Sequence, residues 1–164
     1  MANNETRLGI ESDSVYLEKK VTVDYTDGYL SIIMPKTLTT DHTAIGKKAY
    51  KTAAESLVFG DVCYINSNGK MAKADADAIA SAGAVFLCLG SYSADADGKF
   101  LVSGLARDDN WNWTPGAWLF VSTTAGALTE TAPSATDDVI KPAAMAWDAD
   151  HVMFGMCIGG VEHT

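Results

Sequence analysis

The chain has 164 residues and carries 21 Asp and Glu against 12 Lys and Arg, a formal net charge of −9. That length suits one domain with an arm and excludes two large independent domains. The acidic balance repels phosphate backbones and argues against nucleic acid as a partner. No stretch approaches the roughly 20 apolar residues of a membrane helix, and the polar beginning lacks a signal-peptide core, so a soluble chain made in the cytoplasm, with no membrane partner, is expected.

Residues 1–20 read as a polar N-terminal arm ordered by a partner, with Tyr16 and Leu17 as candidate partner contacts. Residues 21–56 read as a hairpin and linker. In "KKVTVDYTDGYLSIIMP", two β-branched and aromatic runs flank the turn signal Thr26, Asp27 and Gly28, and Pro35 closes the second run. Gly46 to Ser56 fits a short helix and an extended linker equally well. Residues 57–164 form the main module, all strand and turn. "SLVFGDVCYINSNGKMAKA" is a hairpin around Asn68 and Gly69, both tolerant of positive φ, and "GAVFLCLGSY", "DGKFLVSGLA", "GAWLFVS", "ALTETA", "DDVIKPAAMAW" and "HVMFGMCIGGV" continue the series. Short strands with turn signals about every ten residues predict an all-β fold, a small antiparallel barrel or sandwich.

The module also reads as written twice. Gly60, Val62, Tyr64, the Asn68-Gly69 turn and Met71 match Gly116, Trp118, Phe120, the Ala125-Gly126 turn and Leu128. "ADADGKFLVSG" then parallels "WDADHVMFGMCIGG". A degenerate internal duplication explains the match, although any antiparallel meander also looks periodic.

Chemistry is sparse. Cys63, Cys88 and Cys157 lie in apolar stretches without metal-ligand spacing and read as buried free thiols. Of His42, His151 and His163, only His151 is expected on an ordered element, beside Asp148 and Asp150, where it reads as a turn histidine bonded to a carboxylate. No nucleophile-elbow, zincin, phosphate-loop or dinucleotide motif occurs, so no enzyme and no cofactor are expected. Three Asp-x-Asp pairs (Asp75 and Asp77, Asp95 and Asp97, Asp148 and Asp150) suggest calcium at first sight. The best register, from Ser93 through Gly98, reaches Gly104 where a bidentate carboxylate is required, so turn chemistry is the simpler reading and no metal is expected. "RDDNWNWTPGAW" is the candidate contact region. Trp111 and Trp113, one residue apart, would share a face on a strand next to Arg107; they plug the barrel, anchor a partner or stack on a sugar ring.

Taken together, Gly60, Asp61, Val62, Tyr64, Gly69, Lys70 and Ala72, followed by Gly116, Leu119, Ser122, Gly126, Leu128, Thr129 and Pro133, resemble a module of tailed-bacteriophage virion structural proteins. The resemblance covers about the last hundred residues and consists largely of turn glycines and strand positions. It implies a β-module of a head decoration protein, a head fibre or a tail fibre, usually trimeric and without catalytic residues. Compact size favours decoration, since long repetitive or coiled segments are absent. The expected partners are then the major capsid protein and two further copies of the chain, at the outer surface of the virion. Ile32, Ile33, Phe59 and the tryptophans would be available to face subunits. A fibre module binding host-surface carbohydrate is the alternative.

Overall fold

The computed structural model describes residues 35–83 and 85–155, together with the strand residues Val23–Asp24, Ser31–Ile32 and Val161–Glu162. The chain divides into two compact units, residues 1–33 and 34–164. In the first, β1 (Val23–Asp24) pairs antiparallel with β2 (Ser31–Ile32), the two arms of the expected hairpin. Its turn, Ile33, and the arm with Tyr16 and Leu17 lie outside the described residues, as do Cys157 and His163.

The second unit contains β3 (Thr43–Thr52), β4 (Val62–Ile65), β5 (Met71–Lys73), β6 (Val85–Cys88), β7 (Asp97–Arg107), β8 (Trp118–Val121) and β9 (Leu128–Thr129). They are followed by β10 (Val139–Ile140), β11 (Pro142–Ala146), β12 (His151–Phe154) and β13 (Val161–Glu162). No helix occurs among the described residues, so the helical alternative for Gly46 to Ser56 is overturned. The reason is tertiary: β3 pairs with β7 over its whole length, from Thr43↔Arg107 to Thr52↔Asp97, and that ladder outweighs weak local helix propensity. Apart from a small β10–β13 ladder, the strands form one curled antiparallel sheet, a half-barrel.

Sheet order repeats between the halves, although the matched strand residues are out of step: Val62 lies in the inner core and Trp118 is exposed. The path runs β5-β4-β6-β7-β12-β11-β8-β9, so each half repeats one pairing scheme and the halves meet at β7 and β12. In the first half β4 pairs with β5 and β6, and β6 with β7. In the second, β8 pairs with β9 and β11, and β11 with β12. Gly60 and Gly116 have φ of +89° and +83°, and the turn glycines Gly69 and Gly126 have +71° and +83°. In the β4–β5 turn Asn66 Oδ1 accepts from the N–H groups of Asn68 and Lys70, and Gly69 takes positive φ while Asn68 does not. Backbone bonds then tie the two ends of the sheet together. Ala76 donates to Ser122 at 3.0 Å, Gly126 to Ala74 at 2.8 Å, and Val62 to Gly126 at 2.8 Å.

Period-two alternation sorts the core. The inner face contributes Val62, Leu87, Leu101, Leu119, Val121, Val152 and Phe154, packed with small alanines. On the outer face of the first half, Cys63, Met71, Cys88 and Phe100 are buried under Ala53 and Leu57 of the β3–β4 connection. Leu57 is locked there by reciprocal backbone bonds with Tyr92, each 2.9 Å long. Cys63 and Cys88 are free and buried; burial pushes the Cys88 thiol up to about 11 and raises Cys63 as well.

Gly46 faces Gly104 across the β3–β7 ladder, with φ of +138° and +145°. A Cβ on either residue would drive into the opposing backbone, whose nearest atoms include Gly104 Cα at 2.7 Å from a Cβ on Gly46. Gly104→Ala should therefore lower unfolding free energy by more than about 3 kcal/mol in a urea titration. Gly69→Ala, whose Cβ would meet nothing within 4 Å, should cost about 1–2 kcal/mol. Equal losses would sink the close-approach argument.

Candidate functional site

The β3–β7 register decides which side chains meet at one end of the sheet. Because Thr43 sits opposite Arg107, the preceding Asp41 and His42 are carried beside the following Asp108 and Asp109. Asp41 Oδ1 accepts from the N–H groups of His42 at 2.9 Å and Asp109 at 2.8 Å. The Asp109 bond is the main reason the Asp41 carboxyl lies below its usual range. His42 is held at φ +53°, and its ring nitrogen Nε2 lies 3.7 Å from Asp41 Oδ2 and 3.5 Å from Asp108 Oδ1. Asp108 is 7% exposed, and its Oδ1 also caps the loop by accepting from Asn110 N–H and Nδ2.

Trp111 and Trp113 lie in the β7–β8 loop and not on a strand, because the Asp108 turn breaks the ladder first. The loop is pinned by Trp111 N–H to Asp108 O at 3.1 Å and Trp113 N–H to Ala149 O at 3.0 Å. Both rings are half-buried and pack against the inner core. From them an aromatic row runs outward: Trp113 to Trp111 at 6.3 Å, Trp111 to Phe59 at 6.5 Å, and Phe59 stacked on His42 at 4.8 Å between centroids. Phe59, Gly60, Asp61, Trp111, Trp113 and Leu128 line a shallow cleft of about 300 Å³. The buried Trp113 Nε1 has no hydrogen-bond partner among the described residues. Arg107 is already engaged, donating from Nε to Asp109 at 2.5 Å and from Nη1 to Leu38 O at 2.6 Å.

His151, 3% exposed, is the other polar centre. Its Nδ1 lies 2.7 Å from Asp148 Oδ1, while Nε2 accepts the Leu38 N–H at 3.1 Å and lies 3.2 Å from Thr37 Oγ1. A hydroxyl, an imidazole and a carboxylate thus line up, yet the Nε2 lone pair that a general base would need already serves a backbone donor. With Trp147 Nε1 donating to Lys36 O at 3.0 Å, this centre clips residues 36–38 onto the sheet. The Asp-x-Asp pairs are divided by role. Asp75 accepts from Asp77 N–H at 2.9 Å and Asp148 from Asp150 N–H at 3.0 Å, both turn caps. Asp97 begins β7, so the residues after it are extended strand and not a calcium loop.

The sequence singled out the tryptophans and Arg107 but not Asp41, His42 and Asp108 as a group. The adjacent Asp41-His42 pair was the only linear hint, and pairing across more than sixty residues supplies the third member. No protein-family model matches the chain, and comparison with curated proteins gives no match.

Burial pushes the Asp148 carboxyl up, but hydrogen bonds from His151 and from backbone N–H groups outweigh it and leave the group below its ordinary value of 3.8. A depressed folded value contributes stability above the unfolded value, lost as pH falls through the folded one. Asp148→Asn should therefore lower the melting temperature at neutral pH and flatten its decline below about pH 4. A parallel decline in both proteins, followed by scanning calorimetry, would refute the clip's part in acid stability.

Proposed function

We propose that the chain is a virion structural protein, a head decoration protein that binds the major capsid protein on the outer surface of the shell as a homotrimer. The observation that carries this reading is an asymmetry between the two halves. The outer face of the first half is roofed by Ala53 and Leu57, whereas the corresponding face of the second half presents Trp118, 47% exposed, beside half-buried Met145 and Met153. These three side chains are directly cross-strand, Trp118↔Met145↔Met153, and form a continuous apolar row over β8, β11 and β12. Aromatic and methionine side chains are enriched where protein surfaces meet.

The likeness of the glycine and strand pattern to phage virion modules supports the same reading. Its glycines Gly60, Gly69, Gly116 and Gly126 all occupy positive-φ positions in equivalent places of the two halves. Shell stabilisation requires no chemistry: three weak contacts on one trimer act together through high effective concentration. The excess of acidic groups suits basic patches on a shell. A second reading, a fibre module that binds host-surface carbohydrate, is favoured by one feature, the aromatic cleft at Trp111 with Trp113 Nε1 unpartnered among the described residues.

Light scattering on the purified protein should give a trimer, and mixing with undecorated heads should make it co-sediment in multiples of three. Trp118→Ala should lower head occupancy at least tenfold with an unchanged melting temperature, and Trp111→Ala should leave occupancy intact. A monomer that ignores heads but loses glycan binding on Trp111→Ala would replace decoration with the carbohydrate reading.

A further inference from the structure

We propose that Asp41, His42 and Asp108 form a binding site for a divalent first-row transition ion of the zinc type, independent of any role on a virion. The geometry is the first argument. Zinc–nitrogen and zinc–oxygen bonds of about 2.0–2.2 Å arranged tetrahedrally place neighbouring donors about 3.4 Å apart. His42 Nε2 lies 3.5 Å from Asp108 Oδ1 and 3.7 Å from Asp41 Oδ2, and the three donor atoms all fall within 4.8 Å of one another. The two separations from His42 come close to the edges of a coordination polyhedron and exceed the 2.7–3.2 Å of good N–H···O bonds. Among the described residues the His42 ring makes no hydrogen bond, and its two carboxylate neighbours stand at longer range.

Charge is the second argument. Asp41, Asp108 and Asp109 crowd this corner, and Arg107 is engaged by Asp109. Two carboxylates are left beside one imidazole, a set that neutralises a divalent ion. Calcium and magnesium prefer shells of six or more oxygens, whereas an imidazole nitrogen favours zinc, cobalt or nickel.

The outer bonds are in place as well. Two backbone N–H groups hold Asp41 Oδ1, which leaves Oδ2 to face His42, and Asn110 fixes the Asp108 carboxylate by donating twice to Oδ1, bonds that an ion at that oxygen would have to share or displace. Stacking on Phe59 at 4.8 Å fixes the imidazole plane. Such outer contacts are what aim ligands at a metal. Water would complete the shell on the exposed side. The ion would cross-link the entry to β3 with the β7–β8 loop, bracing the loop that carries Trp111 and Trp113.

The test uses the whole chain stripped of metal by a chelator and then titrated with zinc chloride in a calorimeter. One equivalent should bind, the melting temperature should rise, and cobalt substitution should give the visible absorption of a tetrahedral site. His42 is exposed, so His42→Ala should melt like the unaltered chain in chelator, yet bind zinc at least tenfold more weakly and lose the melting shift. Asp108→Asn should behave alike, and the His42 variant keeps the test valid should the buried change impair folding. Undiminished zinc binding by His42→Ala, no saturable binding by the unaltered chain, or calcium binding as tight as zinc would each overturn the proposal.

Discussion

Everything at the end of the sheet where His42, Asp108 and Trp111 meet depends on the long ladder between β3 and β7. The two strands run together over ten residues of β3, and β7 passes the first half of the sheet to the second by pairing with β6 early and β12 late. That ladder requires two backbones to approach closely at Gly46 and Gly104, where no side chain fits. Its register then carries Asp41 and His42 to Asp108, and Arg107 to residues 36–38 through Leu38 O.

Around this ladder the halves use one pairing scheme for different ends. Both halves contribute to one inner core, although residues matched in sequence do not share a face, Val62 being buried in that core and Trp118 exposed, and the positive-φ glycines recur where the chain must turn sharply. The outer faces diverge. A buried cluster of Cys63, Met71, Cys88 and Phe100 under one connection contrasts with the Trp118, Met145 and Met153 row of the other half. Among the described residues apolar surface is roofed on one side and presented at Trp118 on the other, and the proposed partner contact rests on that difference.

The polar groups fall into two kinds. Asp148, His151 and Arg107 are absorbed in holding residues 36–38 and the β7–β8 loop. Asp41, His42 and Asp108 converge with no hydrogen bond between the His42 ring and either carboxylate, next to an aromatic row that reaches the cleft at Trp111. Arg107, prominent in the sequence as a contact candidate, belongs to the first kind.

Local pattern by itself determined the all-β class and the hairpin turn at Asn68-Gly69, because alternation, positive-φ glycines and Asx turns are properties of a few neighbouring residues. It left Gly46 to Ser56 open between helix and extended chain, since lysines and alanines suit either, and only pairing with β7 made it strand. It placed Trp111 beside Trp113 but not in a loop, since the break comes from Asp108 capping Asn110. The meeting of His42 with Asp108, the filling of His151 Nε2 by Leu38, and the unroofed face at Trp118 were decided by tertiary structure alone. Each depends on strand register or on which segment crosses a sheet face, and contacts between residues so far apart in the chain leave no periodic trace within it.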